Sequence, residues 1–303
     1  VLSERPAGPA LPDAAPAATP ASARDDGFRY WTPGLAVFAA LWLCAYVALA
    51  PEPVALAREH GALVLLGVAG AVVGNVTAIG GGLVFIPFLV LFYDLSAVAS
   101  LALALTVQSF GMTSGAIAWA RRGAMPVRTL AWTAPLAVAC ALAGALAFAP
   151  DAKTIEQLFG PLSIAIGIWV WRMRDAVGVH EEIPASARTE LAAAVGVGAA
   201  LTAWVAIGVG ELAAAGLVAR HRVRAEPAIA LGVGLLSATS IALALLHALV
   251  LGDVPWELAG FVLLGAAFGG RLAPWLAARI AARTLKAVFA AVAVGDGVLL
   301  LLF

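Results

Sequence analysis

Asn75 and Thr77 stand just ahead of three consecutive glycines in the stretch NVTAIGGGLVFIP, Asn75 to Pro87. These residue types, in this order, suit the binding of an anion. Each glycine inside a helix is unfavourable by about 1 kcal/mol and proline by about 3 kcal/mol, so the stretch predicts a break. A half-helix opening after Gly80, Gly81 and Gly82 presents unpaired N–H groups and a partial positive charge at its amino terminus. The missing side chains let an anion reach those amides, and Pro87 fits the first turns of a short helix. Asn75 and Thr77 would add side-chain hydrogen bonds. The competing reading is that the glycines serve only close helix packing, as small residues do in membranes.

A second stretch, AIGVGELA, repeats the pattern of AIGGGLVF at an offset of 128 residues. Here Gly208 and Gly210 flank the turn and Glu211 follows it. A carboxylate at a helix amino terminus favours the dipole, which makes Glu211 a plain cap. It would also compete with an anion for the same amides, which makes it a candidate to carry a proton with the substrate. Both readings stay open. Gln108 and Ser109 fall near the middle of an apolar run, level with such a site, and Ser237, Thr239 and Ser240 form a polar cluster in a later run. Thr106, Thr113 and Ser114 read as hydroxyls satisfied on their own helix. Trp204 lies just before the second turn and would wall the site. His247 and Asp296 each admit an interfacial and a functional role.

The elements that position these residues follow from composition. The chain of 303 residues is 63% hydrophobic and 12% charged, with a formal net charge of zero. That predicts an all-α membrane protein embedded in a lipid bilayer, and gives no basic field for nucleic acid. Apolar runs long enough to span occur near 33–50, 61–79, 96–119, 129–149, 155–172, 189–207, 227–250, 255–275 and 284–303. Leu83 to Phe92 and Glu211 to Ala219 are too short to cross a core about 30 Å thick. With both broken segments re-entrant and the amino terminus inside, every Lys and Arg except Arg58 and Lys153 falls on the cytoplasmic side. Letting each broken segment cross as one spreads the charges over both faces, so the re-entrant arrangement fits the positive-inside rule better.

The expected organisation is then a Pro/Ala-rich disordered tail over 1–27, an extra transmembrane helix and loop over 28–60, a first transport repeat over 61–172, a cytoplasmic linker over 173–188, and a second, inverted repeat over 189–303. That gives seven true spans and two glycine-broken re-entrant hairpins. The tail has no apolar core and no signal-peptide h-region. Cys44 and Cys140 read as small buried hydrophobes. His60, His180 and His221 are expected in loops, no paired metal-ligand spacing exists, and no nucleotide-binding motif appears, so no cofactor and no enzyme is expected.

The stretches NVTAIGGGLVFIPFLVLF, TVQSFGMTSGAIAWARRGAMP, AIGVGEL and LLGAAFGGRLAP resemble the TauE/SafE sulfite-exporter family of anion permeases, over roughly residues 61 to 303. The resemblance implies transport of small anions, often sulfite or organosulfonates, through a site between two repeats of a bacterial inner-membrane protein, export being the expected direction. The second motif departs from a glycine-rich turn at Val209 and Glu211. The residues expected around the substrate are Asn75, Thr77, Gly80, Gly81, Gly82, Gln108, Ser109, Trp204, Gly208, Gly210 and Ser237, with Glu211 for proton coupling. An anion channel of the same fold and an assembly factor without flux remain as alternatives, and a homo-oligomer stays open.

Overall fold

The structure is a computed structural model that describes residues 33–148, 151–172, 178–280 and 282–302. The expected tail over 1–27 and the first five linker residues lie outside the described residues. The order of helices is α1 (Pro33–Leu49), α2 (Pro53–His60), α3 (Leu63–Thr77), α4 (Gly82–Tyr93), α5 (Ala97–Arg121), α6 (Val127–Ala147), α7 (Ala152–Arg172), α8 (Arg188–Val205), α9 (Val209–His221), α10 (Ala225–Leu246), α11 (Trp256–Ala277) and α12 (Ala282–Leu302). A short π-helical turn over His247–Leu251 extends α10. Among the described residues there is no strand, only an isolated bridge between His180 and Val223. The protein is an all-α membrane protein.

Five helices, α5, α6, α7, α10 and α11, are long and apolar enough to cross a bilayer. The helices α1 and α2 pass the same test only as a pair, bent by 117° between them. The stretch between α1 and α3, which the sequence suggested as a loop, carries the short helix α2. Pro53 opens α2 at its first position, where the missing N–H is no loss. His60 and His221, expected in loops, are the last residues of α2 and α9.

The two glycine breaks fall where the sequence placed them. Thr77 ends α3 and Gly82 opens α4, while Val205 ends α8 and Val209 opens α9. Both broken pairs fold back on themselves. Tyr93 at the end of α4 lies 5.8 Å, ring centroid to ring centroid, from His60, just before α3 begins. His221 at the end of α9 lies 3.0 Å from Glu190 in the first turn of α8. A continuous helix would hold either pair more than about 40 Å apart at 1.5 Å per residue.

Ala78 and Ala206, which follow α3 and α8, both adopt the left-handed conformation, and so do Asp94 and Arg222 after α4 and α9. Each pair is separated by 128 residues, as are the first residues of α5 and α10. Packing follows the same exchange. The arm α3 lies on α11 and α8 lies on α6; α5 contacts α11 and α10 contacts α6; α5 packs on α10, and α7 on α12.

Small residues make these approaches close. A Cβ on Gly265 of α11 would sit 2.0 Å from the Val64 carbonyl oxygen of α3, and one on Gly67 would sit 2.2 Å from that of Val262. A Cβ on Gly216 of α9 would meet nothing within 4 Å. Replacing Gly265 by Ala is expected to lower stability by about 1–3 kcal/mol through overpacking against rigid backbone. Gly216→Ala should leave stability unchanged or raise it by about 0.5–1 kcal/mol through helix propensity. Thermal unfolding of both variants in detergent micelles checks the contrast.

Candidate anion site at the two helix breaks

The two breaks meet at the centre of the fold. A Cβ on Gly80 would lie 2.0 Å from the Ala206 carbonyl oxygen, and one on Gly210 would lie 2.4 Å from that of Ala78. Each turn thus seats its glycine against the backbone of the other, which any larger side chain would prevent. Gly208 has φ +142, a conformation open to glycine almost alone.

Four backbone N–H groups at the breaks are taken by side chains. Glu211, in the first turn of α9 and 3% exposed, accepts from Gly208 N at 2.8 Å through Oε2. Its Oε1 accepts from Gly80 N, in the other turn, at 2.5 Å. Gln108 on α5 accepts from Gly81 N at 2.7 Å and donates through Nε2 to Ser240 Oγ on α10 at 2.8 Å. Thr202 accepts from Val209 N at 3.0 Å. One carboxylate therefore bridges the two breaks, and the plain-cap geometry expected for Glu211 is present together with a second bond that a cap does not need.

The other expected residues divide between this centre and its supports. Gly82 is packed between Val205 and Ala206 of the second break. Asn75 is fully buried, but it donates to the carbonyls of Ala71 at 2.8 Å and Gly111 at 3.1 Å, bracing α3 against α5. Trp119 of α5 in turn donates to the Asn75 carbonyl. Thr77 donates to Val73 O within its own helix. Trp204 donates to Gly144 O on α6 at 3.1 Å and meets Phe148 edge-on. Ser237 on α10 pairs with Thr113 on α5 at 2.8 Å.

Ser109, next to Gln108, faces elsewhere. It lines a cavity of 730 Å³ bordered by α1, α5, α10 and α11, together with Thr106, Thr113 and Ser114. Gln108 and the glycine turns are not part of that lining. Consecutive helix positions point about 100° apart, so a single helix supplies both places.

Sequence reasoning singled out the glycines, Gln108 and Glu211. It missed Thr202, an ordinary hydroxyl within an apolar run, and it missed Ala78 and Ala206, because nothing about an alanine announces a left-handed turn. Among the described residues no group of His, Cys, Asp and Glu is arranged to hold a metal ion.

A family model described as "Sulfite exporter TauE/SafE" matches residues 63–300. Neither the search of curated proteins nor that of solved structures returns a match.

Replacing Gln108 by Leu strands the Gly81 N–H in an apolar interior and is expected to destabilise the protein by about 1–3 kcal/mol. Thr77→Val removes a hydroxyl that bonds only to its own helix and should change stability by less than about 0.5 kcal/mol. Paired thermal unfolding curves in the same detergent measure the difference.

Proposed function

Since the chain belongs to the TauE/SafE sulfite exporter family, we propose that this multi-pass membrane transporter moves a small sulfur oxyanion, sulfite or a sulfonate, outward through the centre where its two helix breaks meet. The observation that carries the reading is the Glu211 carboxylate. Its two oxygens are held at the junction by backbone amides from both breaks. A sulfite or sulfonate group carries the same kind of acceptor oxygens, and the same amides suit it once Glu211 withdraws. Gly80, Gly81, Gly208 and Gly210 provide the close approach, and Gln108 holds the neighbouring amide in place.

Protonation of Glu211 removes its negative charge and frees an amide for the substrate, so anion and proton travel together. The offset of 128 residues and the exchanged packing support two inverted repeats, 61–172 and 189–303, after an extra first helix. Alternating access then rocks one repeat against the other about the interlocked turns. The distribution of Lys and Arg supports a cytoplasmic amino terminus, and membership of the family supports a place in the bacterial inner membrane.

The test is flux of labelled sulfite in proteoliposomes with a pH-sensitive dye inside. Saturable sulfite movement with accompanying protons is expected in the wild type. Glu211→Gln presents one amide nitrogen to a backbone donor, and is expected to uncouple proton movement from anion movement while the protein still folds. Gly80→Ala, whose Cβ would collide with Ala206 O, should abolish both. If Glu211→Gln carries protons with sulfite as the wild type does, the coupling role of Glu211 is refuted. If folded wild type moves no anion, the site at the breaks is refuted as well.

A further inference from the structure

The cavity beside α5 is separate from the junction of the breaks and has its own chemistry. Its walls are mostly apolar, with Phe38 and Trp42 of α1, Phe110 and Ile117 of α5, and Leu245 of α10. Two cations, Arg121 on α5 and Arg271 on α11, also line it, and no acidic residue does. The Arg271 Nε is buried and has no hydrogen-bond partner among the described residues. The helices α5 and α11 run side by side in the same direction, since Ser114 donates to Ala267 O and Arg122 to Pro274 O. Arg121 and Arg271 therefore stand towards the same end of the cavity.

The hydroxyls along the wall give their protons to backbone carbonyls. Thr106 donates to Ala102 O, Ser109 to Thr106 O, Thr113 to Ser109 O and Ser114 to Ala267 O. Among the described wall residues the Arg271 Nε is the buried polar atom left without a partner, and Arg121 stands at the same end of an otherwise apolar, half-open cavity. A bare oxyanion would use only that end. A ligand with one anionic head and an apolar or aromatic body matches the whole, and 730 Å³ lies within the range of about 300–1,000 Å³ for pockets that enclose such molecules.

The helix α1 closes one side. Trp42 packs tilted on Phe110 at 5.8 Å and donates to Gly260 O at 2.8 Å, and Phe38 lies 5.7 Å from Phe110. This wall precedes the family match, which begins at residue 63.

We propose that this cavity is a second binding site, for an amphiphilic anion, with Arg271 and Arg121 holding the head and α1, through Phe38 and Trp42, selecting the body. The site does not depend on transport at the helix breaks, and its test reads binding directly.

The test is calorimetric titration of the full chain in phosphatidylcholine nanodiscs with naphthalene-2-sulfonate, with sulfite and 2-naphthalenemethanol as controls. Saturable binding of the sulfonate is expected, weakened about tenfold by Arg271→Gln and about tenfold by Trp42→Ala, with the neutral control binding no tighter than it does to empty discs. Trp42→Ala should leave any sulfite binding unchanged. Should Arg271→Gln fail to fold, Arg121→Gln, at an exposed position, replaces it. Absent binding, or binding indifferent to both the cation and the tryptophan changes, overturns the proposal. Repeating the titration with phosphatidylglycerol in the discs separates the two sources of such an anion. Unchanged affinity assigns the site to a free amphiphilic anion and competitive loss assigns it to an anionic lipid; either outcome supports the site.

Discussion

Backbone amides that leave a helix inside an apolar interior must find acceptors, because no water is there to replace them. Here that requirement falls on two places, the breaks after Thr77 and after Val205, and at the first of them it is met by residues remote in sequence. Gly80 gives its N–H to Glu211, 131 positions away, and Gly81 gives its own to Gln108. An unsatisfied buried amide is unfavourable by about 1–3 kcal/mol, so these bonds decide how the two halves of the chain sit against each other. The same groups that close the backbone ledger are the ones an anion would use.

The interlock works only because the chain is thin where the halves touch. Gly80 faces Ala206 O, Gly210 faces Ala78 O, and Gly232 of α10 faces the Ala78 Cβ. Around this centre each half supplies the helix that packs on the first arm of the other, α11 on α3 and α6 on α8. In a lipid environment the hydrophobic effect does not draw helices together, and close van der Waals contact through small residues takes its place. The exposed Leu and Val side chains of α1, α6 and α12 are then lipid-facing surface rather than defects.

The two halves are alike in backbone and unlike in chemistry. At the offset of 128, Leu236 stands where Gln108 does and Leu83 where Glu211 does. Leu236 packs against Gly210, filling with carbon the place that Gln108 fills with an amide beside Gly81. Polar groups gather on one side of the approximate exchange, with the carboxylate from one half and the carboxamide from the other. The helix α5 divides its own duties in the same way, with Gln108 turned to the breaks and Ser109 and Thr113 turned to the chamber that α1 walls off.

Much of this was open to reading in the sequence. Runs of apolar residues, the short lengths after GGG and GVG, and the placing of Lys and Arg determine a membrane bundle with two folded-back breaks, because burial in lipid and positive charge inside are rules about composition along a line. The glycines and Glu211 declare themselves by being poor helix interior or poor membrane interior. Partnership does not. Asn75 and Thr77 are polar and adjacent to the break, yet their hydrogen bonds run to Ala71, Gly111 and Val73, since a residue one helical turn away points where the helix turns it. That Glu211 reaches across to Gly80, that two alanines hold the left-handed corners, and that α1 comes to rest beside Phe110 were decided by tertiary structure alone. They depend on distances of a few ångströms between segments more than a hundred residues apart in several cases, and no pattern along the chain encodes a distance of that kind.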